Sequence, residues 1–178
     1  VAHALGEAGL LIASRRYAAA YAVLGRALAQ DPDNTLLVGL HLAVMGEVTP
    51  KAEALAWFAA QRSVADKDEG EPGHVIVYAS AAWIALEMHD PAMSAAARSY
   101  SATAVAATKV RPPELDGIHA AALIAEGDAR DGVPMAWDAM RRSEDDGSRA
   151  AFALFVADGL RKLGDVPTAD EVVRLASH

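Results

Sequence analysis

The prolines constrain this chain more than any other feature. They stand at positions 32, 50, 72, 91, 112, 113, 134 and 167. A proline is tolerated in the first turn of a helix and breaks its interior, so each is read as marking a helix start. Thr49-Pro50 and Asp90-Pro91 read as an N-cap followed by the first helical residue. Thr168-Ala-Asp-Glu171 reads as a capping box, in which each side chain satisfies the other residue's free N–H. Gly46, Gly127 and Gly164 read as helix ends, where a left-handed residue is often needed. This punctuation predicts ten helices, at about 2–14, 17–30, 34–46, 50–65, 73–88, 91–108, 113–126, 133–143, 148–163 and 168–177. The one β-branched cluster, Val75 to Val77, runs into Tyr78-Ala-Ser-Ala-Ala-Trp83, where helical spacing fits better. An alanine-rich chain with 6% aromatic residues suits helices that pack closely.

Composition removes several function classes. Sixteen basic side chains against 24 acidic give a net charge of −8, which disfavours nucleic acid as a partner. There is no cysteine, hence no disulfide, thiolate zinc site or cysteine nucleophile. No apolar run reaches the ~18 residues a membrane span needs. The first residues lack a basic-then-apolar leader pattern, yet Val1 is not methionine, which leaves room for a leader or an upstream domain. The expected compartment is the cytoplasm. Periplasm and export stay open, because a chain without cysteine fits cytoplasm or periplasm alike and Val1 leaves room for a missing N-terminal segment.

Ten helices in short-looped pairs make five hairpins of about 36 residues, close to the period of about 34 known for one class of helical repeat. The first unit carries Tyr17-Ala-Ala-Ala20, Leu24, Ala27-Leu28 and Asp31-Pro32-Asp33-Asn34, with Ala4 and Ala8 in its first half. The last carries Leu163-Gly164-Asp165, Ala169 and Ala176. Gly39 and Gly46 lie seven residues apart in the second unit. The third and fourth units carry the turns His89-Asp90-Pro91 and Gly127-Asp128, with Ala95, Ala96, Ala136 and Ala139 at small positions. In these residues the chain resembles the tetratricopeptide repeat (TPR) family. The departures are Ala4 and Ala8, where that family prefers tryptophan and glycine.

The resemblance implies an all-α fold: a right-handed α-solenoid of about five antiparallel helix hairpins forming one domain. The units are about 1–34, 35–68, 73–110, 112–145 and 148–178. It also implies a concave groove lined by the first helix of each hairpin. Carried over unit by unit, the groove positions are Leu5 and Gly9, Leu36 and Leu40, Ala79 and Trp83, Gly117 and Ala121, then Leu154, Asp158 and Arg161. Such a groove is apolar along most of its length and charged at one end. Asn34 is the only asparagine, which argues against the asparagine-and-lysine clamp by which some family members hold chaperone tails.

Catalytic patterns are sparse. No Gly-rich phosphate loop, nucleophile elbow or paired-histidine metalloprotease motif is present. His41, His89, Asp90 and Asp138 follow the order of the metal set in HD-type phosphohydrolases, but Pro91 makes Asp90 a helix cap rather than a ligand. The function expected is therefore a non-catalytic protein–protein interaction scaffold without cofactor or metal. It would hold a partner's amphipathic helix or an apolar segment in the groove, with self-association as a further use of the same surface. The alternative is a regulatory, ligand-sensing repeat domain of a larger bacterial protein. An HD-type metal-dependent phosphohydrolase is the remote one.

Overall fold

A computed structural model describes residues 1–176. The end expected for the last helix, at 177, and His178 lie outside the described residues. Ten α-helices follow one another: α1 (Ala2–Ala13), α2 (Tyr17–Gln30), α3 (Thr35–Val48), α4 (Lys51–Ala65), α5 (Pro72–Glu87), α6 (Pro91–Ala106), α7 (Pro113–Glu126), α8 (Ala129–Arg142), α9 (Asp146–Lys162) and α10 (Val166–Ala176). A single 3₁₀ turn, Asp66–Asp68, follows α4, and no strand occurs among the described residues. Each helix packs on its neighbour in the chain. The ten helices follow the punctuation, and the fold is an all-α solenoid of consecutive hairpins, as the repeat resemblance implies.

The hairpins share one kind of turn. Arg15, His89, Gly127 and Gly164 take left-handed backbone, with φ of 56°, 51°, 110° and 86°. In three of these turns the N–H of the following residue reaches back over the helix end. Arg16, Asp128 and Asp165 donate to the carbonyls of Leu11, Leu123 and Leu160 at 2.8, 2.8 and 2.9 Å, which satisfies helix-end carbonyls that would otherwise be orphaned. The α3–α4 turn differs: Thr49 is extended, with φ −125°.

Four local expectations are corrected. Gly46 does not end α3. The helix runs on to Val48, and Gly46 is buried, because a Cβ there would lie 2.8 Å from Ile84 Cγ1. Thr49 does not cap α4 by its side chain; its hydroxyl donates back to the Met45 carbonyl at 2.9 Å, and Pro50 holds the cap position. Pro134 lies inside α8 rather than at its start. The missing N–H frees only the carbonyl of exposed Arg130, which water can reach. Thr168 and Glu171 form no capping box. Asp165 is the cap, accepting from the Thr168 N–H at 3.3 Å, and Glu171 pairs with Arg174. Asp90 caps α6 as expected, through the Ala92 N–H at 2.9 Å.

Small residues set how close the helices come. Ala8, Ala20 and Ala27 are buried between α1, α2 and α3, with Leu24 and Leu37 filling the space around them. Next along the chain, Phe58 packs edge-on against Tyr78 and Tyr100, at centroid distances of 5.5 and 5.1 Å. Beyond it Ala120, Ala136, Ala157 and Ala169 join α7 to α10. The first helices of successive hairpins also touch: α3 on α5, α5 on α7, α7 on α9. Gly39 and Gly46 bring α3 and α5 closest, since a Cβ at Gly39 would lie 2.9 Å from Ile76 Cγ2. By contrast, α1 packs on α2 and barely reaches α3. That break in the row positions the site.

Candidate functional site

The gap between α1 and α3 opens an apolar cleft of about 360 Å³. Leu40, Ala43 and Val44 of α3 form its floor with Ile76, Ala79 and Trp83 of α5. Ile12 and Tyr17, at the α1–α2 turn, close one side, and Ile118 of α7 reaches in from the other. Leu40, Ala79 and Trp83 therefore converge, as the repeat register places them. Each is only half-buried.

The other groove positions do not join them. Leu5 packs against the α1–α2 core, and Leu36 is half-buried outside the cleft. Gly9 is exposed, with open space where a Cβ would stand. Ala121 is buried, and Phe152 covers Gly117, so neither presents surface. Leu154 is exposed on α9. Asp158 and Arg161 are exposed, but Asp158 pairs with Lys162 at 3.1 Å and Arg161 with Asp170 at 2.8 Å. Asp158 lines a separate polar hollow with His89, Asp90 and Lys162.

Trp83 does more than line the cleft. Its ring meets Phe155 on α9 edge-on, centroid to centroid 6.0 Å. Sequence reading missed Ile12, Tyr17, Glu47 and Ile118. Nothing in a repeat register signals them, because the register assumes that every first helix packs on the next.

Compared with protein-family models, with curated proteins and with solved structures, the chain matches none of them.

The residues considered for metal chemistry are engaged elsewhere. His41 is buried between Tyr21 and Trp57, with ring centroids 4.6 and 5.1 Å away. Its Nδ1 has no hydrogen-bond partner among the described residues, and burial holds the imidazole below its ordinary value. Asp90 caps α6, and Asp138 accepts from Arg142 at 2.8 Å. Among the described residues no group of three His, Asp or Glu side chains is placed to hold a metal ion.

A second arrangement resembles a nucleophile and base. Ser101 Oγ lies 2.9 Å from His119 Nδ1. The hydroxyl donates to the Arg98 carbonyl at 3.0 Å, which leaves the imidazole N–H to donate to Oγ. Ser101 is fully buried, so no substrate can reach it. Burial, then Arg98 and Arg111, hold His119 below its ordinary value. Beside it the buried Asp116 pairs with Arg142 and has Arg111 Nε 3.3 Å from Oδ1. This polar group ties α6, α7 and α8 together.

Another cleft, of about 570 Å³, lies between α8, α9 and α10 around Trp137 and Met140. Its arginines, Arg141 and Arg149, face their own carboxylates on Asp138 and Asp146. It draws on none of the predicted groove positions. Among the described residues no helix is long and apolar enough to cross a membrane.

Proposed function

We propose that the chain is a non-catalytic interaction scaffold of tetratricopeptide type, which docks a partner's helix or apolar segment in the α1–α3–α5 cleft. The observation that carries this reading is the convergence of Leu40, Ala79 and Trp83 in an open apolar cleft. Half-buried aromatic and aliphatic side chains in a pocket are the usual anchors of protein association. An open cleft suits an elongated segment better than an enclosed small molecule, which ranks the ligand-sensing reading second. The four left-handed hairpin turns and the buried alanines at helix contacts support the repeat assignment.

The test is affinity capture from the source cell with wild type, Trp83→Ala and Ala43→Trp side by side. Ala43→Trp fills the cleft and leaves the Trp83–Phe155 contact in place. A partner should be held by wild type and lost by both variants while helical content is unchanged. Capture that survives Ala43→Trp in a folded protein counts against the cleft.

A further inference from the structure

We infer that the occupant of the cleft is a basic amphipathic helix of another protein, with a lysine or arginine side chain seated at Glu47. This rests on the docking reading above and goes beyond it in assigning the charge, register and shape of the partner. Among the described residues, Glu47 is the only ionisable one other than Tyr17 that lines the cleft. It is exposed, and it takes part in no hydrogen bond or ion pair among the described residues. Lys51, four residues on from Glu47, is already committed. Lys51 Nζ donates to the Gly46 carbonyl at 2.6 Å and to the Glu87 carboxylate. Glu87 lies one helical turn beyond Trp83, as Glu47 lies one turn beyond Ala43. Among the described residues that line the cleft, Glu47 is thus the one carboxylate, and apart from Tyr17 and Ser80 the other side chains are apolar. The net charge of −8 adds a field of the same sign around it.

Shape points to a helix. The row α3, α5, α7, α9 is continuous, and the one break in it lies where α1 fails to pack on α3. A helix laid there continues the row. Its apolar face would meet Leu40, Ala79 and Trp83, and a basic residue flanking that face would reach the free carboxylate of Glu47. A charge-assisted bond at a partly desolvated rim is stronger than one between neutral groups. It also sets the direction in which the helix lies.

The probes are a labelled leucine–lysine peptide of helical period, its leucine–glutamate counterpart, and free decylamine, each titrated at near-physiological salt. The leucine–lysine peptide should bind, and Glu47→Gln should weaken it about fivefold to tenfold. Glu53→Gln removes the same charge from α4, outside the cleft, and should change nothing. Ala43→Trp should abolish binding.

Equal weakening by Glu47→Gln and Glu53→Gln would reduce the effect to diffuse attraction and overturn the inference. So would a leucine–glutamate peptide that binds as tightly, or no binding by either peptide. Decylamine binding as tightly as the peptide would assign the cleft to a small amine instead. A dimer that Ala43→Trp disperses would assign it to a second copy. If Ala43→Trp abolishes peptide binding and Glu47→Gln leaves it untouched, only the charge assignment fails. If neither variant matters, the docking reading fails with it.

Discussion

Two histidines make stability depend on pH at the level of single residues. His41 lies buried between Tyr21 and Trp57 with an unpartnered Nδ1, and His119 is held down by burial and two arginines. Both have folded-state values below the ordinary histidine value of about 6.5. Above that value both states are neutral, and the histidines leave stability unaffected. As pH falls through it, the unfolded chain takes up protons that the folded chain refuses, so stability declines until the folded values are reached. The urea midpoint should therefore drop as pH falls through about 6.5. His41→Phe keeps a ring between Tyr21 and Trp57 and removes the orphaned nitrogen, so it should flatten the His41 share of that decline. An unchanged pH profile in His41→Phe would show that Nδ1 is hydrated.

Helix ends illustrate what the sequence makes legible at the level of elements and what it hides. Asp90 before Pro91 was readable because a cap needs only its own residues, and the Ala92 N–H is its partner. The start of α10 was misread because Asp165 and Thr168 are both good caps. The choice between them was made by Gly164, whose left-handed turn sends the chain into helix at once. Asp165→Ala should therefore cost about 1 kcal/mol, whereas Thr168→Ala should leave the melting temperature nearly unchanged. Gly46 hides for another reason. A glycine that ends a helix and one that admits a neighbouring helix look alike until the neighbour is known, and here Ile84 is that neighbour. The cleft divides in the same way. Leu40, Ala79 and Trp83 follow from repeat register, which is a local property of the chain. Ile12, Tyr17 and Glu47 come to the cleft only because α1 stands off from α3, and a stacking defect of that kind leaves no mark on periodicity.

Across the whole molecule, stability is a sum of neighbouring contacts rather than the property of one central core. A contact between the third and fifth hairpins departs from that scheme. Trp83 of the third hairpin meets Phe155 of the fifth edge-on. A helical solenoid of hairpins is mechanically a coiled spring, and its pitch is ordinarily free to breathe because only adjacent coils touch. A ring pair that bridges two coils acts as a clasp and sets the resting curvature on that side. Phe155→Ala opens the clasp without altering a cleft residue, and it should enlarge the radius of gyration in solution scattering at unchanged helical content. A loss of helix instead would mean that Phe155 serves packing within its own hairpin. With the clasp intact, the side that carries the cleft keeps its spacing, so an arriving partner meets a template already set instead of having to bend one into shape.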